Sequence, residues 1–138
     1  MSNKTKLIDK VRNHLELLGY EIGDTEAKKE VFLATKNEVS LMFIVPDRGD
    51  ITYYVKGFKI DSDIYQKNKL ELLEIINEIN SQSSIIFVSL DRKEGVLFFS
   101  SYMYGKYDKI RFGSFLEKSR EVLDALITKY LKRLKKFN

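Results

Sequence analysis

The side chains with the clearest potential for chemistry are the carboxylates between residues 61 and 78. Asp61 and Asp63 lie on either side of Ser62, and a second set follows at Glu71, Glu74 and Glu78. Two carboxylates held side by side can act as a general acid and a general base. The second set, however, has the i, i+3, i+7 spacing of one helix face, away from the apolar positions of the same segment. We therefore interpret it as a solvated face and not as a catalytic pair.

Other patterns that support catalysis or ligand binding are missing from the sequence. The chain has no cysteine, and its one histidine is His14. The sequence therefore offers neither a nucleophilic triad nor a set of metal ligands. Gly49, Gly57 and Gly95 do not form a phosphate-binding loop followed by a helix. The sequence predicts a protein without enzymatic activity, cofactor or metal.

Aromatic and aliphatic side chains give a stronger indication, because two of the strands that carry them are apolar on both faces. In the run Val96–Phe99, Phe98 and Phe99 point to opposite sides of the strand. An antiparallel sheet with one wet face normally carries polar residues there. Either helices cover both faces, or an apolar surface stays open for a partner protein or a second copy of the chain. The candidate partner surface consists of Tyr53, Tyr54, Phe98, Phe99, Tyr102 and Tyr104.

The formal net charge of +4 comes from the C-terminal segment. Five cations lie in the last ten residues, and without them 19 basic residues remain against 20 acidic ones. These five could contact phosphates of a nucleic acid, or they could be a solvated helix face that suits the negative end of the helix dipole. We favour the solvated face. The candidate basic patch consists of Lys129, Lys132, Arg133, Lys135 and Lys136.

The apolar periodicity indicates three helices and five strands. Helices are predicted at 5–18, from the caps at Asp61–Asp63 to Asn80, and from about 115 to 136, where Ser114 and Glu117 match a capping box. The predicted strands are Glu30–Thr35, Val39–Val45, Ile51–Phe58, Ile85–Leu90 and Val96–Ser100. The order α-β-β-β-α-β-β-α indicates an α+β fold, with an antiparallel five-stranded sheet and flanking helices.

Asn77 and Asn80 lie at the predicted end of the second helix. Asparagine tolerates the left-handed conformation found at helix ends, and its amide can satisfy free backbone groups there. We therefore assign both residues a structural role and not a ligand contact.

Length and composition indicate a single domain over residues 1–138, since domains cluster at about 100–150 residues. Apolar residues make up 43% of the chain and charged residues 32%, which is typical of a globular protein. No apolar run approaches the roughly 18 residues of a membrane span, and the first residues lead into an amphipathic helix and not into an apolar signal core. We expect a cytoplasmic protein that does not contact a membrane.

Several segments resemble the YbjN family of small bacterial proteins. They are the end of the first helix at Leu17–Tyr20, the strand Val39–Val45 with the acidic turn Pro46–Asp50, and the helix end Asn77–Asn80 followed by two strands. The long amphipathic helix that closes the chain also fits. The resemblance covers nearly all of residues 5–135. It implies a fold like that of type III secretion chaperones, and a role as a regulator or chaperone-like adaptor without established catalytic activity.

The sequence thus favours a non-enzymatic adaptor that binds a protein through an apolar sheet or helix surface, with a homodimer as another use of that surface. Strand addition at a sheet edge is one way to take up the partner. The alternative is a nucleic-acid-associated regulator that uses the basic C-terminal helix.

Overall fold

The fold is α+β, as predicted, and the number of its elements differs from the prediction. The computed structural model describes residues 6–24, 30–46 and 51–138, and it describes only the backbone of Asp24 and residues 52–56. The elements in this part of the chain are α1 (Leu7–Leu17), β1 (Glu21–Asp24), β2 (Val31–Lys36), β3 (Val39–Ile44), β4 (Ile51–Lys59), α2 (Ser62–Lys67), α3 (Lys69–Gln82), β5 (Ile86–Asp91), β6 (Val96–Met103) and α4 (Lys109–Lys135).

The strands follow the order β1-β2-β3-β4-β6-β5, so the prediction of one five-stranded sheet is wrong. The additional strand is β1, which pairs antiparallel with β2. The chain also divides into two compact units, and each of them contains some of the strands. The N-terminal unit comprises residues 1–54 and 102–115, with β1, β2, β3 and the start of β4. The C-terminal unit comprises residues 55–101 and 116–138, with the rest of β4, β5 and most of β6. The prediction of a single domain stays a prediction.

The N-terminal unit contains the antiparallel hairpin of β2 and β3. Asn37 and Glu38 form its two-residue loop, and their φ angles of 52° and 67° are those that a type I′ turn requires. Phe32 and Phe43 are partners across the hairpin, and their rings are stacked with centroids 5.3 Å apart. Both phenylalanines are buried, as are Val11 and Leu15 of α1. The tight loop therefore sets the register that brings the two core aromatics together.

The C-terminal unit has its core among α3, the later part of α4 and the inward-facing residues of β5 and β6. Ser101 of β6 and Ser119 of α4 are fully buried, and their hydroxyls form a hydrogen bond of 2.8 Å. This polar pair inside the core is therefore satisfied. The principal core residues are Leu72, Ile75, Ile79, Ile86, Val88, Leu97, Phe99, Leu126, Tyr130, Leu134 and Phe137.

The second predicted helix is in fact two helices. Asp61 caps α2 as expected, since its Oδ1 accepts a hydrogen bond of 3.0 Å from the N–H of Ile64. Asn68 then leaves the helical conformation at φ −133°, and its Nδ2 donates a 2.9 Å bond to the carbonyl of Ile64. A side-chain amide that bonds to a nearby carbonyl competes with the helix in this way. After the break, α3 continues to Gln82, two residues beyond the predicted end at Asn80.

The last helix begins at Lys109, earlier than predicted, and the predicted capping box of Ser114 and Glu117 is wrong because both residues lie inside α4. Asp108 is the cap instead, since its Oδ2 accepts a 2.9 Å hydrogen bond from the N–H of Arg111. This first turn is additionally held by Phe112, which is fully buried. An aspartate cap together with a buried aromatic residue thus starts the helix before the serine is reached.

Candidate functional site

The predicted partner surface is divided by the structure. Phe99 is 1% exposed, so its assignment to an exposed surface is wrong, because it points into the core of the C-terminal unit. Phe98, on the other face of β6, is half-buried. Tyr102 and Tyr104 are 44% and 68% exposed, and their rings are stacked 6.2 Å apart. The side chains of Tyr53 and Tyr54 lie outside the described part of the structure.

The predicted basic patch lies on the outer side of α4, where three of its five side chains bind polar groups of α3. Arg133 Nη1 donates a 2.7 Å hydrogen bond to Glu78 Oε2. Lys136 Nζ lies 2.5 Å from Glu71 Oε2, and Lys129 Nζ donates to the side-chain oxygen of Gln82 at 2.9 Å.

The hydrogen bond from Arg133, with a smaller contribution from its charge, holds the pKa of Glu78 below its ordinary value. Two of the glutamates that the sequence assigns to a solvated face therefore neutralise part of the C-terminal charge. Because the patch is partly compensated, it offers a nucleic acid fewer free cations than its sequence indicates.

A third candidate site lies in the N-terminal unit, beside α1. It is a groove of about 790 Å³, which we call the α1 groove. Leu17 and Ile110 are 84% and 80% exposed there. Such exposure is unusual for two large aliphatic side chains at one groove. The lining residues are Lys10, Asn13, His14, Leu17 and Leu18 from α1, and Tyr107, Asp108, Lys109 and Ile110 from the segment that starts α4.

His14 joins the two sides of the α1 groove. Its Nδ1 and the hydroxyl of Tyr107 are hydrogen-bonded at 2.8 Å, and its ring meets Phe112 edge-on with centroids 5.0 Å apart. Burial, and to a smaller extent the charge of Lys109, lower the pKa of His14. Burial, followed by the charge of Asp108, raises the pKa of Tyr107. Both groups are thus neutral near pH 7, and they form an uncharged polar bridge between α1 and the segment that starts α4.

Acidification is expected to weaken the fold through His14. Because the pKa of His14 is lower in the folded chain than in the unfolded chain, the unfolded chain binds more protons once the pH falls below about 6.5. The stability that neutral His14 contributes is therefore complete above that pH and is lost as the pH falls toward the folded-state pKa. Urea unfolding at pH 7.5 and pH 5.5 should show a larger loss for the wild type than for His14→Gln. Equal losses in the two proteins would contradict this assignment.

The α1 groove was not predicted from the sequence. Leu18 is the last residue of the helix predicted at 5–18, and it is in fact 42% exposed. Ile110 lies between the predicted strand Val96–Ser100 and the last predicted helix, where no element was predicted. The usable signal was the adjacent pair Leu17 and Leu18 just before Gly19, whose φ of 94° ends the helix. The buried stripe of α1 consists of Val11 and Leu15, so both leucines of the pair are left at the surface.

The structure also locates the two asparagines. The side chain of Asn80 forms two hydrogen bonds with the backbone of Val88, whereas Asn77 is exposed on α3. Within residues 6–24, 30–46 and 51–138, no three histidine, aspartate or glutamate side chains are placed to hold a metal ion. No helix in the same ranges is both long and apolar enough to span a bilayer.

No family model and no curated protein matches this chain. Solved structures do match it over most of its length. YbjN from E. coli, for which a role as a transcription regulator has been suggested, is 15% identical with a TM-score of 0.69, over 91% of this chain and 92% of that one. An uncharacterized protein from Methanothermobacter thermautotrophicus is 12% identical with a TM-score of 0.61, over 94% and 98% of the two chains. A chain of the ExsC–ExsE complex is 12% identical with a TM-score of 0.51, over 88% and 92%.

These matches confirm the predicted likeness to YbjN at the level of the fold. At 12–15% identity, they show a shared fold and not a shared activity, because unrelated functions use the same architecture.

Proposed function

We propose that this protein is a non-enzymatic adaptor that binds a segment of a partner protein in the α1 groove, in a chaperone-like or regulatory role in the cytoplasm. The observation that carries the proposal is the exposure of Leu17 and Ile110 on the two sides of one groove. Large aliphatic side chains that line a concave surface act as anchors for the apolar face of a helix or an extended segment. Burying them on binding is favourable by roughly 25 cal/mol for each Å² of apolar surface.

The charges around the groove favour an acidic partner segment. Lys10 and Lys109 lie among the lining residues, and His14 is neutral because its pKa is lowered. Among the described residues of the lining, the carboxylate is that of Asp108, which is engaged as the cap of α4. The groove therefore combines aliphatic anchors with excess positive charge, and charge complementarity of this kind selects partners and guides their approach. An amphipathic segment with leucine-type residues on one face and glutamates beside them fits both features.

Two of the matched structures are compatible with this use of the fold. One is described as a suggested transcription regulator and another is a chain of a two-protein complex. A role of the basic patch in binding nucleic acid receives less support, because Arg133, Lys136 and Lys129 are bound to side chains of α3.

Peptide binding tests the proposal directly. Fluorescence anisotropy would compare a labelled helical peptide of about 18 residues, with leucines at i, i+3, i+4 and i+7 and flanking glutamates, with the same peptide carrying lysines in place of the glutamates. We expect the acidic peptide to bind more tightly. The variants Leu17→Asp and Ile110→Asp should each weaken its binding at least tenfold, which is about 1.4 kcal/mol. Ile110→Asp should fold normally, because an acidic residue suits the first turn of a helix.

Leu70→Asp is the matched control, since Leu70 is a leucine that is 71% exposed on α3 of the C-terminal unit. This substitution should leave the affinity unchanged. Equal affinity for the acidic and basic peptides, or an equal loss of affinity in Leu70→Asp, would reject the α1 groove as the binding site. Binding that is lost only when Lys132 and Lys135 are replaced by glutamate would favour the basic patch instead.

A further inference from the structure

The outer edge of β5 has an unusual arrangement, because a side chain stands where a neighbouring strand could pair. The N–H of Val88 donates a 2.7 Å hydrogen bond to Asn80 Oδ1. In return, Asn80 Nδ2 donates a 3.1 Å hydrogen bond to the carbonyl of Val88. A primary amide thus makes the same two-bond exchange with Val88 that a residue of an added antiparallel strand would make.

The geometry of the ladder shows that these bonds lie at the open edge of the sheet. In an antiparallel pair, the N–H and the carbonyl of one residue point to the same neighbouring strand. Val88 is the partner of Phe99 in β6, yet both of its backbone groups bind Asn80, so they point away from β6. Since β5 is the last strand in the sheet order, the direction away from β6 is the free edge.

A second side chain protects the next outward-facing position. Residues two apart on a strand point the same way, so the N–H of Ile86 faces the same edge as that of Val88. Ser83 Oγ accepts a 2.9 Å hydrogen bond from Ile86 N–H, and a further one of 3.1 Å from Ile85 N–H. The end of α3 and the residue that follows it therefore occupy consecutive pairing positions of β5.

The strand behind this protection is well suited to pair with itself. Ile85–Leu90 contains no charged residue, and Phe87, on the face away from the core, is 42% exposed. Uncharged edge strands rich in β-branched and aromatic residues are templates for pairing between chains. An antiparallel pair of two β5 strands centred on Val88 would place each Val88 opposite its copy, in the position that exchanges both backbone bonds. Phe87 would then face Ser89 of the second copy, and no like charges would oppose each other.

We propose that Asn80 and Ser83 close the edge of β5 against strand addition, and that β5 of a second copy of this chain occupies the edge when Asn80 is removed. This inference does not depend on the α1 groove. It also means that a partner segment cannot be added as a strand at β5 while Asn80 is in place.

Asn80→Ala is the principal test, with Asn77→Ala as the matched control because Asn77 is an exposed asparagine on the same helix. Light scattering after size exclusion should give twice the wild-type mass for Asn80→Ala and the wild-type mass for Asn77→Ala. Adding Ser89→Lys to Asn80→Ala should restore the wild-type mass, since a charge on an edge strand opposes pairing. In dilute protein, hydrogen exchange should be slow at the Val88 amide of the wild type and faster in Asn80→Ala.

If the mass of Asn80→Ala stays at the wild-type value at every concentration, the proposal is overturned. It is also overturned if Asn77→Ala gives the same increase, or if Ser89→Lys fails to reverse it. Should Asn80→Ala not fold, Ser83→Ala replaces it, with faster exchange at Ile86 and an increased mass as the supporting result. An unchanged mass together with unchanged exchange at Ile86 would then contradict it.

Discussion

Phe137→Ala is expected to lower the free energy of unfolding by about 3–5 kcal/mol, which is the usual cost of deleting a buried aromatic side chain. Phe137 is two residues past the end of α4, yet its side chain is 0% exposed and belongs to the core of the C-terminal unit. Its carbonyl also accepts a 2.7 Å hydrogen bond from the N–H of Asp61, just before α2. Urea unfolding followed by circular dichroism measures the loss.

Lys135→Ala is the control, because Lys135 is exposed and lies only two positions away. Its effect should stay within about 0.5 kcal/mol. A loss below about 1 kcal/mol for Phe137→Ala would mean that the cavity closes or that the side chain is not part of the core.

The burial of Phe137 has a practical consequence for the basic patch. Removing residues 129–138 would delete Tyr130, Leu134 and Phe137 from the core, so charge substitutions are the valid test of nucleic-acid binding.

Gly57→Ala is expected to cost about 2–3 kcal/mol, because the added methyl group has no room. A Cβ at Gly57 would lie 2.5 Å from Cε2 of Phe99 and 3.0 Å from the carbonyl oxygen of Leu97. The Phe99 ring is enclosed in the core and cannot move aside cheaply, and the carbonyl belongs to the backbone of β6. The Phe99 ring therefore lies against the backbone of β4 at Gly57, where any side chain would collide with it. Close approach of this kind is a common reason for a glycine inside a strand.

Gly113→Ala is the matched control, since a Cβ at this position of α4 meets nothing within 4 Å. It should raise the stability by up to about 1 kcal/mol, the difference in helix propensity between glycine and alanine. Chemical unfolding of both variants should therefore give opposite signs. A neutral Gly57→Ala would show that β4 and β6 can separate without cost at this point.

The sequence predicts best the elements whose apolar spacing is long and regular. The helix α4 is an example, because Leu123, Leu126, Tyr130 and Leu134, which are spaced by three or four positions, are all buried. The strand β1 could not be predicted, since Glu21–Asp24 has a single aliphatic residue and a glycine. It exists because β2 offers it backbone partners, a contact that propensity does not encode. The break at Asn68 depends in the same way on one side-chain bond.

The candidate surfaces were harder to predict, because they depend on contacts between distant residues. Alternation places Phe98 and Phe99 on opposite faces, but both are phenylalanines, so the pattern does not indicate which one enters the core. The pairing of Arg133 with Glu78 joins residues 55 positions apart, and helix periodicity carries no information about it. The interaction of Asn80 with Val88 spans only eight positions. The sequence indicates a structural role for Asn80 at the helix end, but it does not predict Val88 as the partner.

The short separation between Asn80 and Val88 has a consequence for biosynthesis. A ribosome delivers the chain from its N-terminus, and domains begin to fold in that order. Asn80 and Ser83 therefore leave the ribosome before Val88 does, and the loop that joins them to β5 is short enough to close at small entropic cost. β6, the strand's partner on its other side, follows only afterwards. A polysome carries many nascent copies of the chain close together. Because Asn80 and Ser83 are already outside the ribosome when β5 emerges, they can close its outer edge before β5 of another copy pairs with it.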